Sequence, residues 1–339
     1  MNPSPKPGET TGQENPAGEP AHTAKQRNLW LSLFTLGLAA LLLYLALRGV
    51  EWKAFLYTLS QGRYYLLPLL FIWSSLNYFM RAMRWRVLLS AERQIRPLTV
   101  FWANMAGYLG NSFLPARAGE LVRTAALSHK TGINASFVLA TALTERLLDV
   151  IALVLISVLA LLALPGISAT FAPALRGMAV LAGVGLLVVL LAPRLSSFFQ
   201  QMLAIIPLPA AWRPRLENLL VRFLDGMRSL QNPGRAISFV ALTGVIWLAD
   251  GLGSMLGAYM LGLQLTLPQA LLLLAGLGLS SAIPSTPGYI GVYQFAAVTV
   301  LTPFGFSKSD ALAYILVAQV FNYIVVTVWG LPGLWLSRK

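Results

Sequence analysis

Cysteine is absent from the chain, which excludes disulfides, thiol nucleophiles and thiolate metal sites. Histidine is nearly so. Of the 2 present, His22 lies in a polar N-terminal stretch and His129 at the end of an expected helix. Neither a metal-ligand cluster nor a catalytic histidine is in prospect, so no metal, no cofactor and no enzymatic activity is expected. No G-x-x-x-x-G-K-[ST] occurs, so the phosphate-cradling loop of nucleotide-driven machines is missing. Charge is the largest deficit: Asp, Glu, Lys and Arg make up 11% of the 339 residues, against about 25% in soluble domains.

Apolar residues take up the difference. They account for 57% of the chain, and the mean hydropathy is +0.68. The run from Leu29 to Leu47 carries no charge. At about 1.5 Å rise per residue it covers most of a roughly 30 Å hydrocarbon core. Similar runs occupy 64–80, 135–164, 177–192, 236–261 and 311–336. Their length and lack of period-2 alternation predict helices rather than barrel strands. The fold class is therefore an all-α polytopic membrane protein. Residues 1–27 are rich in Pro, Gly, Glu and Thr and read as a disordered cytoplasmic tail. They do not have the form of a cleaved signal, so the first span is expected to be retained. Residues 28–339 form a single transmembrane domain.

The formal net charge of +13 sits mostly between spans, where topology and anionic lipid explain it better than nucleic acid does. Lys25 and Arg27 precede the first span. Arg81, Arg84, Arg86, Arg93 and Arg96 follow the second, and the arginines of "RAMRWRVLL" read as an interfacial anchor beside Trp85. Segment 193–235 carries six arginines against two acids and reads as a cytoplasmic amphipathic segment. Arg338 and Lys339 place the C-terminus inside, and the uncharged loops 165–173 and 262–268 read as external. The location expected is a bacterial inner-membrane type of plasma membrane, with both termini cytoplasmic.

Six full spans fit these marks only if 98–130 and 269–302 do not cross. Each consists of an apolar stretch, a Pro/Gly break and a second short stretch, the pattern of a re-entrant helical hairpin. "NSFLPARAGE" (111–120) is then the tip of one entering from the cytoplasm, and "AIPSTPGYIG" (282–291) the tip of one entering from outside. Span, hairpin, span occurs twice with opposite sense. This is an inverted-topology repeat, the arrangement many transporters use around a midplane site.

The stretches "NSFLPARAGELVRTAAL", "ERLLD" (145–149) and "PSTPGYIGVYQ" (284–294) resemble the flippase-like transmembrane region of lysylphosphatidylglycerol synthases. The matching positions are Leu114, Pro115, Arg117, Gly119 and Glu120, then Glu145, Arg146 and Asp149, then Pro287, Gly288 and Gly291. The resemblance implies a protein that moves a phospholipid, such as aminoacylated phosphatidylglycerol, or a polyprenyl-linked carrier between leaflets. Full-length synthases add a soluble aminoacyl-transfer domain; the resemblance covers about 28–336, so this chain is expected not to make the modified lipid. A homo-oligomer or a separate lipid-modifying enzyme are the partners this suggests.

The residues themselves sharpen the expectation. A charge at a helix centre costs about 2.5–3.5 kcal/mol, and each Leu, Ile, Phe or Val returns roughly 0.3–0.6. The seventeen such residues in 135–164 would be roughly cancelled by Glu145, Arg146 and Asp149 left alone. Those three must be paired, watered or interfacial. They either form an internal pair, Arg146 with Asp149 at i,i+3, or reach across the hairpin to Arg117 or Arg123. Asn111, Arg117, Glu120 and Arg123 lie at or after the first tip, where a half-helix N-terminus attracts anions. A planar guanidinium there would suit a phosphate. The alternative is a Pro-Gly turn with snorkelling arginines. Asp250 is a mid-span carboxylate, either a proton site or an arginine's partner. Gln294 and Asn322 either line a polar path or bond between helices. The function expected is lipid transport. A small-anion transporter is the alternative, and an enzyme acting on lipid phosphates a more remote one.

Overall fold

A computed structural model describes residues 35–114, 118–164, 229–281 and 287–338, with isolated positions between 177 and 221. The N-terminal tail, Pro115 and Arg117, the expected span 177–192, the external loop 165–173 and nearly all of segment 193–235 lie outside the described residues. Within them every regular element is helical.

The elements are α1 (Thr35–Leu47), α2 (Trp52–Ser60), α3 (Leu67–Leu89), α4 (Pro97–Phe113), α5 (Gly119–Thr131), α6 (Ala135–Leu162), α7 (Pro233–Met260), α8 (Leu267–Ser280), α9 (Val292–Leu301) and α10 (Lys308–Arg338). Local chemistry sets their ends. Proline opens the first turn of α3, α4, α7 and α8, where its missing N–H costs nothing. The Asn134 side chain caps α6 through the Ser136 amide. Gly132, at φ 74°, closes α5 in the left-handed conformation. A turn at Gly49, φ 81°, bends α1 from α2 by 85°.

Two helices, α7 and α10, are long and apolar enough to cross a membrane, or three if the bent α1–α2 pair is one span. α3 and α6 are comparably long, but each carries three charged residues. Large apolar side chains face outward along these helices: Leu159 and Leu162 on α6, Ile237 and Val240 on α7, Ile324, Val328 and Trp335 on α10. Such extended apolar surface needs lipid or protein against it, and the chain is a helical membrane protein.

The expected hairpins are each a pair of short helices around a break, folded back on itself. In the first, α4 and α5 lie backbone to backbone. A methyl group on Gly119 would sit 2.0 Å from the Gly107 carbonyl oxygen, so only glycine permits this approach. In the second, Gly276 of α8 meets the Val300 side chain beyond α9's midpoint. α3 packs on α7, where Trp73 donates to the Ala249 carbonyl at 2.8 Å. α4 packs on α10 through Phe101, Trp102 and Trp329, and α6 on α8, where Leu153 fills the space at Gly278. Apolar cores form around Trp85, Met105, Leu127 and Val326 and around Met260, Leu273, Leu301 and Leu312. A smaller one is built on Leu153, Trp247 and Ala275.

Candidate functional site

The charges in these helices converge. On α3, Asn77, Arg81 and Arg84 recur at intervals of four and three and share a face. α6 presents Glu145, Arg146 and Asp149, the first hairpin presents Glu120 and Arg123, and α7 presents Asp250.

Arg84 is the hub, with 1% of its side chain exposed. Its fork holds Asp149 at both oxygens, 2.6 and 2.9 Å, and reaches Glu145 Oε1 at 2.9 Å. Glu145, 3% exposed, gives its other oxygen to Arg123 Nη1 at 2.8 Å. Arg123 also meets Asn104 Oδ1 at 3.1 Å and Glu120 Oε2 at 2.6 Å, and its guanidinium lies 4.6 Å from the centre of the Trp85 ring. Glu120 Oε1 accepts from Arg146 Nε at 2.7 Å. Arg81 pairs with Asp250, which also accepts from the Asn77 amide. Among the described residues four arginines therefore face four carboxylates, and their formal charges cancel. Accessibility runs from sealed at Arg84 to 36% at Arg146.

Buried pairs of this kind are weak stabilisers, because desolvation offsets attraction. Removing one partner nevertheless costs about 3–5 kcal/mol, since it leaves an uncompensated charge. Charged groups inside membrane helices mark pathways and sites more often than packing.

Several expectations are corrected here. Arg81 and Arg84 are not interfacial anchors: α3 continues past residue 80 to Leu89 and turns both inward. Arg146 does not pair tightly with Asp149, at 3.9 Å. It turns to Glu120, which the hairpin brings closer than the i,i+3 geometry allows. Of the two carboxylates considered, Glu145 reaches across to Arg123, while Asp149 is held by Arg84. The half-helix N-termini are less open than expected. The Gly119 amide donates to Asn111 Oδ1 at 3.0 Å, and the Gly291 amide to Gln294 Oε1 at 2.7 Å. Asn111 therefore holds the hairpin closed, with its own amide 3.5 Å from Glu120.

The second tip is built from neutral groups. Gly288 (φ 74°), Tyr289 (φ 61°) and Gly291 (φ 86°) all have left-handed backbones. The Gly288 carbonyl accepts from the Tyr323 hydroxyl at 2.5 Å and from the Gln319 amide. Gln319 in turn accepts from Gln294 at 2.6 Å. Pro287 opens this turn; its side chain lies outside the described residues. A methyl on Gly288 would fall 2.1 Å from the Tyr323 oxygen and 3.5 Å from the Ser112 carbonyl, so the two tips meet here. Asn322 accepts from Tyr78 at 2.5 Å, tying α10 to α3 one turn from Arg81. Both Gln294 and Asn322 thus bond between helices.

Sequence reasoning took Arg81 and Arg84 for anchors rather than site residues, and passed over Asn104, Gln319 and Tyr323. For Arg84 a signal existed. Four carboxylates in apolar segments needed four cations, and the arginines weighed as their partners, at 117, 123 and 146, supply only three. Among the described residues no group of three His, Cys, Asp or Glu could hold a metal ion.

A family model described as "Lysylphosphatidylglycerol synthase TM region" matches residues 32–330. No curated protein and no solved structure matches the chain.

Proposed function

The chain belongs to the family of lysylphosphatidylglycerol synthase transmembrane regions, and from that premise we propose that it is a lipid transporter, moving a phosphate-bearing lipid between leaflets without acting as an enzyme. The observation that carries the reading is the neutral cluster of paired arginines and carboxylates, sealed at Arg84 and accessible at Arg146. A headgroup phosphate arriving at that edge can take the Arg146 fork bidentately and displace Glu120. Glu120 keeps Arg123 as its partner, so no charge is stranded. The acyl tails stay in the bilayer while the headgroup follows the polar face of α3.

The reading counts α1, α3, α6, the segment 177–192, α7 and α10 as spans. It takes α4–α5 and α8–α9 as re-entrant hairpins from opposite sides. Its support is the packing. Exchanging α3, α4, α5 and α6 for α7, α8, α9 and α10 turns the α3–α4 contact into α7–α8, α4–α10 into α8–α6, and α5–α6 into α9–α10. All of these contacts exist, and α3–α7 maps onto itself. Inverted repeats of this kind place the site at their interface. The reading puts the protein in the plasma membrane, with the cytoplasmic termini that the loop arginines favour. Glu120, Glu145, Asp149 and Asp250 are the groups available to carry a coupling proton.

The test is transport of a fluorescent phospholipid across reconstituted vesicles. Glu120→Gln and Arg146→Gln are expected to abolish movement with folded protein retained, and Arg117→Ala to weaken it. Unchanged transport in Glu120→Gln and Arg146→Gln would reduce the cluster to scaffold. Flux of a soluble anion without lipid movement would make the protein a small-anion transporter.

A further inference from the structure

A second site lies away from the charged cluster, where α1, α9 and the start of α10 diverge. The carbonyl of Ala39 would sit 2.2 Å from a methyl on Gly291, so α1 touches the second hairpin at its tip. Further along α1 the helices separate and leave a half-open cleft of about 370 Å³. Leu45, Phe295 and Val298 form its apolar part, and Thr302 and Lys308 its polar end. The Lys308 ammonium donates to the Arg48 carbonyl at 3.1 Å, which is the one bond it makes among the described residues. That leaves two of its three donors for a ligand.

The depth of this polar end is marked independently. α2 leaves α1 at 85° and exposes Trp52, Leu56 and Tyr57, with Tyr64 and Tyr65 just beyond. Tryptophan and tyrosine collect at the headgroup level of a bilayer. Hydrogen bonds from Thr58 to Asp310 at 2.7 Å and from the Glu51 amide to Ser309 at 3.0 Å fix α2 to the start of α10. Lys308 and Arg48 therefore lie at headgroup depth, and the apolar part of the cleft extends from them into the hydrocarbon.

We infer that this cleft binds an anionic glycerophospholipid, with one acyl chain along Leu45 and Phe295 and the phosphate on Lys308. The volume falls in the range of small-molecule pockets, about 300–1,000 Å³, and suits part of a chain rather than a whole lipid. Such a lipid would brace α1 against the second hairpin. The inference stands independently of the transport reading.

Native mass spectrometry of the full chain, titrated with dioleoyl-phosphatidylglycerol and separately with dioleoyl-phosphatidylcholine, tests it. Phosphatidylglycerol is expected to occupy one saturable site ahead of further lipids. Reversing the exposed charge in Lys308→Glu is expected to weaken that site about tenfold for phosphatidylglycerol and much less for phosphatidylcholine. Thr299 also lines the cleft, and filling it in Thr299→Trp removes the site for both. Arg146→Gln leaves it intact even where transport is lost, which separates the two sites. Equal occupancy in wild type, Lys308→Glu and Thr299→Trp would overturn the assignment, as would loss of the site in Arg146→Gln alone.

Discussion

The two hairpins have similar frames and opposite chemistry. The first is tied to its neighbours by full charges: Glu120 and Arg123 reach Arg146 and Glu145 of α6. The second is tied by amides and a hydroxyl: Gln294, Gln319 and Tyr323 close around the Gly288 carbonyl. Both devices hold a broken backbone inside a membrane protein, where polar groups need internal partners. The neutral version is sufficient for that task. Under the proposed transport reading, the charged version also supplies ion pairs that a headgroup can exchange. Even Asp250, the one charge midway along a helix in the second set, is claimed by Arg81 of the first.

The largest expected effect breaks the charged device at its hub. Arg84→Met leaves Glu145 with one cation and Asp149 with only the distant Arg146, and is expected to cost about 3–5 kcal/mol. Thermal unfolding in detergent would show it, and Arg84→Met with Asp149→Leu should recover much of the loss. Recovery by the double variant separates a stranded carboxylate from a simple packing defect.

Next comes the neutral device. Gln319→Leu removes the donor to Gly288 and the acceptor for Gln294, with an expected cost of about 1–3 kcal/mol. Replacing both Gln294 and Gln319 by leucine should be milder than the sum of the single changes, because the one bond they share is then lost once rather than counted twice. Strict additivity in the same unfolding assay would show that the bond between the two amides contributes nothing to stability.

Gly288→Ala probes the contact between the tips. The methyl meets Tyr323 Oη at 2.1 Å and a left-handed backbone, for roughly 1–3 kcal/mol. Tyr323→Phe in the same chain should remove the worst contact but leaves the ring carbon at 2.9 Å and the backbone term, a partial rescue visible in unfolding temperature.

The smallest effect on stability is expected where the functional effect is greatest. Arg146→Gln opens the outermost pair of the cluster and leaves Glu120 with Arg123 as its partner, so no carboxylate is stranded, yet it removes the accessible fork. Transport should fall by at least tenfold with the unfolding temperature nearly unchanged. A parallel loss of both would return Arg146 to the scaffold.

The sequence by itself determined the membrane character, the helical class and the presence of a break within 111–120 and within 282–291. These follow from composition and from proline and glycine, which act locally and need no knowledge of neighbours. It also identified Glu145, Arg146 and Asp149 as charges that could not stand alone, and singled out Glu120 and Arg123 beside the first tip. Only the tertiary structure decided which charge meets which. Arg84 looked like an interfacial anchor because one-dimensional reading ended its helix at the first arginine. α3 runs nine residues further than the run 64–80, and at 100° per residue that turns Arg84 inward. Pairings such as Arg84 with Asp149, 65 positions apart, depend on how α3 packs beside α6. No local spacing encodes that.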